Sequence, residues 1–203
     1  MARQPVVRSN EHYYHLTGRS NNKENFYLPT SRVWEIMIRK LHLLQMEFDL
    51  CIAGFVLMDN HFHLILLTPT GPIDKVMYFF MKDVTKSIQK ESGRVNKIFG
   101  GRYKGCLIRD QRYLLNAFKY VYRNPVRAKI VERAEEYRFS TLHFIAYHEP
   151  LNLKVINIHL PTNESLTGLI QWLNTDFQKN DSDRVKWGLT RSVFQLKKQL
   201  THT

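Results

Sequence analysis

The sequence predicts an α+β fold of the ferredoxin-like, split βαβ kind, with helices packed on a mainly antiparallel sheet and a helical C-terminal extension. Three observations predict it. The expected elements follow one another as strand, helix, strand, strand, helix and strand. The two central strands are joined at Asp59 and Asn60 by a tight turn, as in a hairpin. Apolar residues make up 43% of the 203 residues, which is enough for one sizeable core.

The first half of the chain supplies three strands and one helix. The aromatic, roughly alternating stretch HYYHLTGR (residues 12–19) predicts the first strand. A helix capped by Ser31 and ending near Asp49 follows, because its apolar residues recur at helical spacing. LCIAGFVLM (50–58) and HFHLILLTP (61–69) are rich in branched apolar residues and predict the two hairpin strands.

The next part of the chain adds a helix, a strand and a third helix. A Gly-Pro pair breaks the chain before a helix that we expect from Ile73 to Lys90. YKGCLIRD (103–110) predicts a short strand, and Asp110 is placed to cap the third helix. We expect that helix to run to Asn124 and to be stopped by Pro125.

After about Tyr147 the regular strand and helix patterns give way to a stretch that resembles a linker. We therefore divide the chain into a first domain, residues 1–148, and a linker with a helical extension, residues 149–203. In the extension, apolar spacing predicts an amphipathic helix over residues 164–178, and TRSVFQLKKQL (190–200) predicts a last, basic helix. An isolated helix of this length is marginal in water, so we expect the extension to pack on the first domain.

The chain is strongly basic, with 30 Lys and Arg against 18 Asp and Glu and a formal net charge of +12. Most of the surplus lies in residues 1–148, which favours a polyanionic partner such as nucleic acid. The sequence lacks a stretch typical of a membrane span or a signal peptide. Two cysteines are too few for a disulfide framework, so we expect a cytoplasmic protein with reduced thiols. A single bridge between Cys51 and Cys106 stays open.

Two histidines, His61 and His63, stand one residue apart on the third predicted strand. Alternate residues of a strand point to the same side, so the two imidazoles converge while Phe62 and Leu64 face the core. Neutral imidazoles are common metal ligands, and the pair can supply part of a metal site. A purely structural pair is the alternative, and a third ligand has to come from elsewhere.

The third predicted helix offers that ligand. Its core face is formed by Leu114, Phe118 and Val121, and a second stripe holds Tyr113, Asn116, Tyr120 and Asn124. Tyr120 and Asn124 lie one turn apart, so a phenol and an amide oxygen can act together. The same stripe is also typical of surface and packing residues. Tyr122 lies roughly 200° round the helix from Tyr120.

A row of basic residues accompanies the second predicted helix. Lys82, Lys86 and Lys90 recur every four residues, and Arg94, Lys97, Arg102 and Lys104 follow. Such a row can follow the phosphates of a nucleic acid, which makes these residues candidates for DNA binding. An ordinary solvated helix face is the alternative.

Several motifs taken together resemble the REP-associated tyrosine transposases, a branch of the single-tyrosine HUH nucleases. They are YHLTGRSNN (14–22), MDNHFHLIL (58–66), FGGRYKG (99–105), YVYRNPVRAKIV (120–131) and EEYRFSTLHF (135–144). They cover about residues 1–147 in the family's order. The histidine pair alone is a weak signal, whereas its combination with Y-x-x-x-N-P at this separation is specific.

The resemblance implies a metal-dependent single-stranded DNA endonuclease and strand transferase, a transposase that binds DNA hairpins such as REP elements. Residues 1–148 are then the catalytic domain, and Tyr120 is the nucleophile that forms a 5′-phosphotyrosine. By the same resemblance, His61, His63 and Asn124 hold Mg²⁺ or Mn²⁺. The implied partner is single-stranded DNA with hairpins, and a monomer is favoured over a dimer.

Asp59 departs from the family, which usually has proline at this position. A plain turn residue is the favoured reading, and a group that orients a ligand histidine is the alternative. The alternative function is a DNA-hairpin-binding protein that no longer cleaves DNA. A metal-dependent hydrolase barrel needs more ligands, and a histidine-triad hydrolase needs a histidine in place of Ile65. The other histidines, His15 among them, show no clustering in the sequence.

Overall fold

The computed structural model describes residues 6–156, 165–177 and 181–196, and its described residues form one four-stranded sheet. The strands are β1 Tyr13–Arg19, β2 Cys51–Met58, β3 His61–Leu67 and β4 Lys104–Ile108. All neighbouring strands are antiparallel, and their order is β2-β3-β1-β4. The predicted fold class is therefore confirmed.

Seven α-helices lie in the described part of the chain. They are α1 Thr30–Phe48, α2 Ile73–Ser92, α3 Gln111–Tyr122, α4 Asn124–Arg127, α5 Thr141–Ala146, α6 Leu166–Asn174 and α7 Asp181–Gly188. None of these described helices is long and apolar enough to cross a membrane.

The two predicted helix caps, Asp110 and Ser31, have different outcomes. The Asp110 carboxylate accepts hydrogen bonds from the backbone N–H groups of Arg112 and Tyr113, so it caps α3 as predicted. Ser31 does not cap α1, since this helix already begins at Thr30, directly after Pro29. A proline can precede a helix without losing a hydrogen bond, because the first N–H groups of a helix lack partners inside it.

The sheet separates two layers of helices. α1 and α2 cover one face and bury Phe62 and Leu64 in a common core. α3 covers the other face, where Ile65 is buried with residues of α3. His61 and His63 share the face of Ile65, because side chains two positions apart point to the same side. The fold therefore turns the histidine pair toward α3.

The described part of the extension packs on the same face. Buried apolar residues join the α3 cluster, namely Leu173, Val185, Leu189 and Phe194. Val193 forms an isolated bridge with Leu107 of β4. The predicted last helix is wrong over residues 190–196, where a bend and this bridge replace it, and residues 197–200 lie outside the described residues. α7 was not predicted.

Both cysteines are free thiols, so the disulfide bridge that the sequence left open is not formed. Cys51 is half-buried and Cys106 is buried. Burial raises the pKa of the Cys106 thiol to about 12, because a thiolate is poorly solvated in an apolar environment.

Candidate active site

Three predicted site residues meet between β3 and α3. The ring centroids of His61 and His63 are 5.0 Å apart, and the Tyr120 ring centroid lies 6.0 Å from that of His63. Tyr120 is buried, with 6% of its surface exposed, and the Arg127 guanidinium lies 5.0 Å from its ring centroid. The two histidines come from β3 and the tyrosine from α3.

Asn60, at the hairpin turn, fixes the orientation of His61. The Asn60 amide nitrogen donates to the Lys23 carbonyl at 2.9 Å, which leaves its oxygen facing His61 Nδ1 at 2.8 Å. An amide oxygen only accepts, so His61 carries its proton on Nδ1 and presents the lone pair of Nε2. This is the arrangement by which outer partners orient histidine ligands of metals.

His63 is held by His15, a residue that sequence reasoning set aside. His15 Nε2 and His63 Nδ1 are 2.8 Å apart, and the two rings are stacked. β1 pairs with β3 so that Thr17 lies opposite His63, which places His15 diagonally next to it. Spacing along the sequence does not indicate this contact. Only the register between strands reveals the contact.

The histidines at this place are kept neutral by burial. Burial, aided by the charge of Arg19, lowers the pKa of His61 to about 4. Burial and the neighbouring His15 hold the pKa of His63 well below its ordinary value. Burial alone lowers the pKa of His15 to about 3. Neutral imidazoles keep a lone pair, which is the form that binds a metal.

Asn124 lies just beyond α3, at the start of the short α4. Its amide nitrogen donates to the backbone carbonyls of Tyr120 and Val121 at 2.9 and 3.3 Å. Pro125 has no N–H to give to the carbonyl four residues earlier, and the Asn124 side chain supplies a donor instead. These two bonds use only the amide nitrogen of Asn124, and its oxygen can act only as an acceptor. The helix that was predicted to stop at Pro125 thus breaks after Tyr122, and α4 adds one more helical turn.

The donor set at the histidine pair fits a divalent cation. His63 Nε2 is buried and has no hydrogen-bond partner among the described residues. Among those residues, no three His, Cys, Asp or Glu side chains form a metal-binding group. Two imidazole nitrogens alone do not form the closed four-ligand set of a structural zinc site.

Tyr122 and Tyr113 are placed for packing. Tyr122 is fully buried, and its hydroxyl bonds to the Thr141 hydroxyl at 2.8 Å. Burial raises the pKa of Tyr122 above its ordinary value, which disfavours a phenolate. The Tyr113 ring packs on Phe194 of the extension. Tyr120 is thus the phenol of α3 that lies against the histidine pair.

Asp59 does not hold a ligand histidine through a described hydrogen bond. Its carboxylate accepts from the Thr30 hydroxyl at 3.1 Å, and its backbone carbonyl accepts from Phe26 N–H at 2.8 Å. It therefore acts as a turn residue that ties the hairpin to the start of α1. Asn60, the next residue, orients His61 instead.

The predicted basic residues divide into two groups. Lys82, Lys86 and Arg102 line a mainly apolar groove of about 570 Å³ between α2 and the loop before β4, together with Lys97. Lys90 and Lys104 are exposed but do not line it. Arg94 stacks on the Tyr27 ring, 3.6 Å from its centroid, and also lies outside the groove.

An exposed aromatic ring lies in the same groove. Tyr78 is 58% exposed, and Lys82 Nζ lies 5.3 Å from its ring centroid. Asp74, the acidic residue of the lining, is paired with Arg8 at 2.8 Å. The groove belongs to the α2 layer and thus to the sheet face opposite the histidine pair.

Two buried cations beside Tyr120 were not expected from the sequence. Lys119 Nζ donates to the Thr175 hydroxyl at 2.6 Å and lies 5.0 Å from the Trp172 ring centroid. Arg123 donates to the Leu173 carbonyl at 3.1 Å and pairs with Asp176. The acceptors all come from α6 or its end, so the extension holds the helix that carries Tyr120.

No family model matches the chain. A curated relative from Haemophilus influenzae, named as a REP-associated tyrosine transposase, is 26% identical over 102 residues. The match covers 45% of this chain and spans 58% of the relative's length. The resemblance to the REP-associated tyrosine transposases is therefore confirmed.

A solved REP-associated tyrosine transposase has the same fold. It is described as bound to a REP hairpin, it is 18% identical, and its TM-score is 0.60 over 81% of this chain and 98% of that one. A transposase-like crystal structure from Deinococcus radiodurans matches with 14% identity and a TM-score of 0.40, over 58% of this chain and 96% of that one. At 18% identity, the first likeness concerns the fold.

Proposed function

We propose that this chain is a metal-dependent single-stranded DNA endonuclease and strand transferase, a transposase that binds hairpins such as REP elements. The observation that carries the proposal is the placement of Tyr120 against His63, whose Nε2 is buried and without a described partner. The Tyr120 phenol and the unpartnered His63 nitrogen thus belong to neighbouring side chains. The similarity to a relative named as a REP-associated tyrosine transposase supports the substrate class.

In the proposed reaction, the Tyr120 oxygen attacks the phosphorus of a DNA phosphodiester in line with the leaving oxygen. A bond forms between the tyrosine oxygen and phosphorus, and the bond to the 3′ oxygen breaks. The phenol loses its proton, and the 3′ oxygen gains one. The products are a 5′-phosphotyrosine and a free 3′-hydroxyl, which can attack the phosphotyrosine and rejoin the strand without ATP.

His61, His63 and Asn124 are the residues that would hold Mg²⁺ or Mn²⁺ in this mechanism. A cation held there would supply screening of the phosphate charge and polarisation of a non-bridging oxygen. Asn60 keeps the imidazole of His61 in place by a hydrogen bond to its Nδ1. Arg127, next to the Tyr120 ring, is positioned to stabilise negative charge on the attacked phosphate.

The groove between α2 and β4 is proposed to bind the single-stranded part of the DNA. Its four cations can contact phosphates, while Tyr78 offers a ring on which an unpaired base can stack. A volume of about 570 Å³ is within the usual range of small-ligand sites. Because the groove lies on the other sheet face, it would hold DNA away from the cleaved phosphate.

Salt dependence tests this groove. A single strand that neutralises about six phosphates should give a log–log salt slope of about −4. In the double variant Lys82→Ala/Lys86→Ala, the slope should become shallower by about 1.4, because two contacts are lost. Lys40→Ala/Lys154→Ala, with the same charge change outside the groove, should keep the wild-type slope. Equal slopes in both double variants would contradict the proposal that single-stranded DNA binds in this groove.

The proposed reaction is tested by incubating the protein with hairpin-bearing single-stranded DNA and Mn²⁺ and running a denaturing gel. A covalent protein–DNA adduct that disappears in the Tyr120→Phe variant is expected. Hairpin binding without any adduct, across several hairpin sequences, would instead favour a binding protein with an idle site.

A further inference from the structure

His15 is a buried histidine to which neither the resemblance nor the proposed reaction assigns a role. It is 3% exposed, and its partners across the sheet are Ile65 on β3 and Cys106 on β4. Its one described hydrogen bond joins its Nε2 to His63 Nδ1. Its own Nδ1 is buried without a described partner. Burying the His15 imidazole with one nitrogen unpaired costs free energy of folding, which suggests that the residue has a functional role.

The hydrogen bond between the two rings can run in either direction. If His15 Nε2 donates, His63 accepts on Nδ1 and carries its own proton on Nε2, so that it has no lone pair left for a cation. If His63 Nδ1 donates, the proton is absent from Nε2 and a lone pair points away from His15. Each direction leaves one buried N–H without a described acceptor. Only the second direction gives a ligand.

We propose that His15 is a positioning residue, which accepts the Nδ1 proton of His63 and thereby fixes His63 Nε2 as a lone-pair donor toward a divalent cation. The inference rests on the proposed function, since it needs a cation at the histidine pair. His15 then orients His63 through Nδ1 in the same way that Asn60 orients His61. Each candidate ligand histidine then has one nitrogen held by the protein and one left for the ion.

Metal affinity of the DNA-free protein tests the inference. Mn²⁺ titration by calorimetry should show a 10- to 100-fold weaker site in His15→Leu, which removes the acceptor but keeps an apolar side chain. His15→Gln should bind within a few-fold of wild type, because its amide oxygen can take the place of Nε2. His42→Leu, at an exposed histidine on α1, should leave the affinity unchanged.

Two further readouts separate positioning from mere structural support. The melting temperature of His15→Leu should stay the same or rise, because a buried polar group without full pairing is removed. In ¹⁵N-labelled wild-type protein loaded with Mg²⁺, the His63 proton should be on Nδ1. A proton on Nε2, or a loss of Mn²⁺ affinity that simply follows a fall in melting temperature, would overturn the inference.

The outcomes also distinguish this inference from the proposed function. If His63→Ala removes the Mn²⁺ site while His15→Leu keeps wild-type affinity, the inference fails and the metal site stands. If neither His61→Ala nor His63→Ala changes Mn²⁺ binding, the metal site itself is wrong, and the role of His15 falls with it.

Discussion

Tyr120 and Tyr122 form a matched pair in which the loss of one hydroxyl should affect chemistry and the loss of the other should affect stability. In the described part of the chain, the Tyr120 hydroxyl makes no hydrogen bond, and its ring lies against His63. The Tyr122 hydroxyl bonds to Thr141 at 2.8 Å inside the core. Phenylalanine keeps either ring and removes only the hydroxyl.

The stability effect can be estimated from the contacts. Thr141 keeps a donor and an acceptor without Tyr122, since its hydroxyl oxygen lies 3.0 Å from Phe55 N and 3.3 Å from Phe55 O. Tyr122→Phe therefore loses the bond to Thr141, whose other partners remain, and a long bond of 3.4 Å to the Ala53 carbonyl, at a combined cost of about 1 kcal/mol. For a chain of this size that lowers the melting temperature by about 2–4 °C. Tyr120→Phe should change it by less than about 2 °C.

Two measurements on both variants check the pair, namely thermal unfolding and the covalent adduct on a denaturing gel. Tyr120→Phe should melt as wild type, bind hairpin DNA and form no adduct. Tyr122→Phe should melt earlier and, well below its melting temperature, form the adduct at a rate close to wild type. An adduct in Tyr120→Phe, or its loss in folded Tyr122→Phe, would refute the assignment of the nucleophile.

Three further outcomes are expected. His61→Ala and His63→Ala should each abolish Mn²⁺-dependent cleavage, and cleavage by both variants in EDTA would contradict a metal mechanism. In the native protein, iodoacetamide should modify Cys51 but not Cys106, whose burial raises the thiol pKa to about 12; mass spectrometry of the labelled chain detects either thiol. Deleting residues 149–203 should lower the melting temperature by several degrees, which calorimetry measures against the full chain.

The parts of the site that follow local rules could be predicted from the sequence. The alternation of a strand places His61 and His63 on one face, and the helical repeat places Tyr120 and Asn124 one turn apart. The structure agrees in bringing the Tyr120 ring to His63. Both rules act within one element, so no knowledge of the packing was needed.

The remaining groups depend on contacts between distant segments. His15 reaches His63 because of the register of β1 on β3, and a shift of one residue would turn it to the other face. Lys119 is buried, although lysine is usually solvated, because Trp172 of α6 and Thr175 at its end cover it. The partners of His15 and Lys119 lie on other elements of the fold. Periodicity within one strand or helix therefore could not predict these contacts.

The extension is held to α3 by a salt bridge and by buried apolar side chains, and the two contribute unequally to stability. Arg123 is buried, but its partner Asp176 has a side chain that is 89% exposed, so water and salt screen the pair. Such a pair contributes about 0–1 kcal/mol. Full burial of an apolar side chain is worth about 1.5–3 kcal/mol, and the extension buries Leu173, Val185, Leu189 and Phe194 against the α3 side. Apolar burial therefore dominates, and Asp176→Ala should cost far less stability than Leu173→Ala.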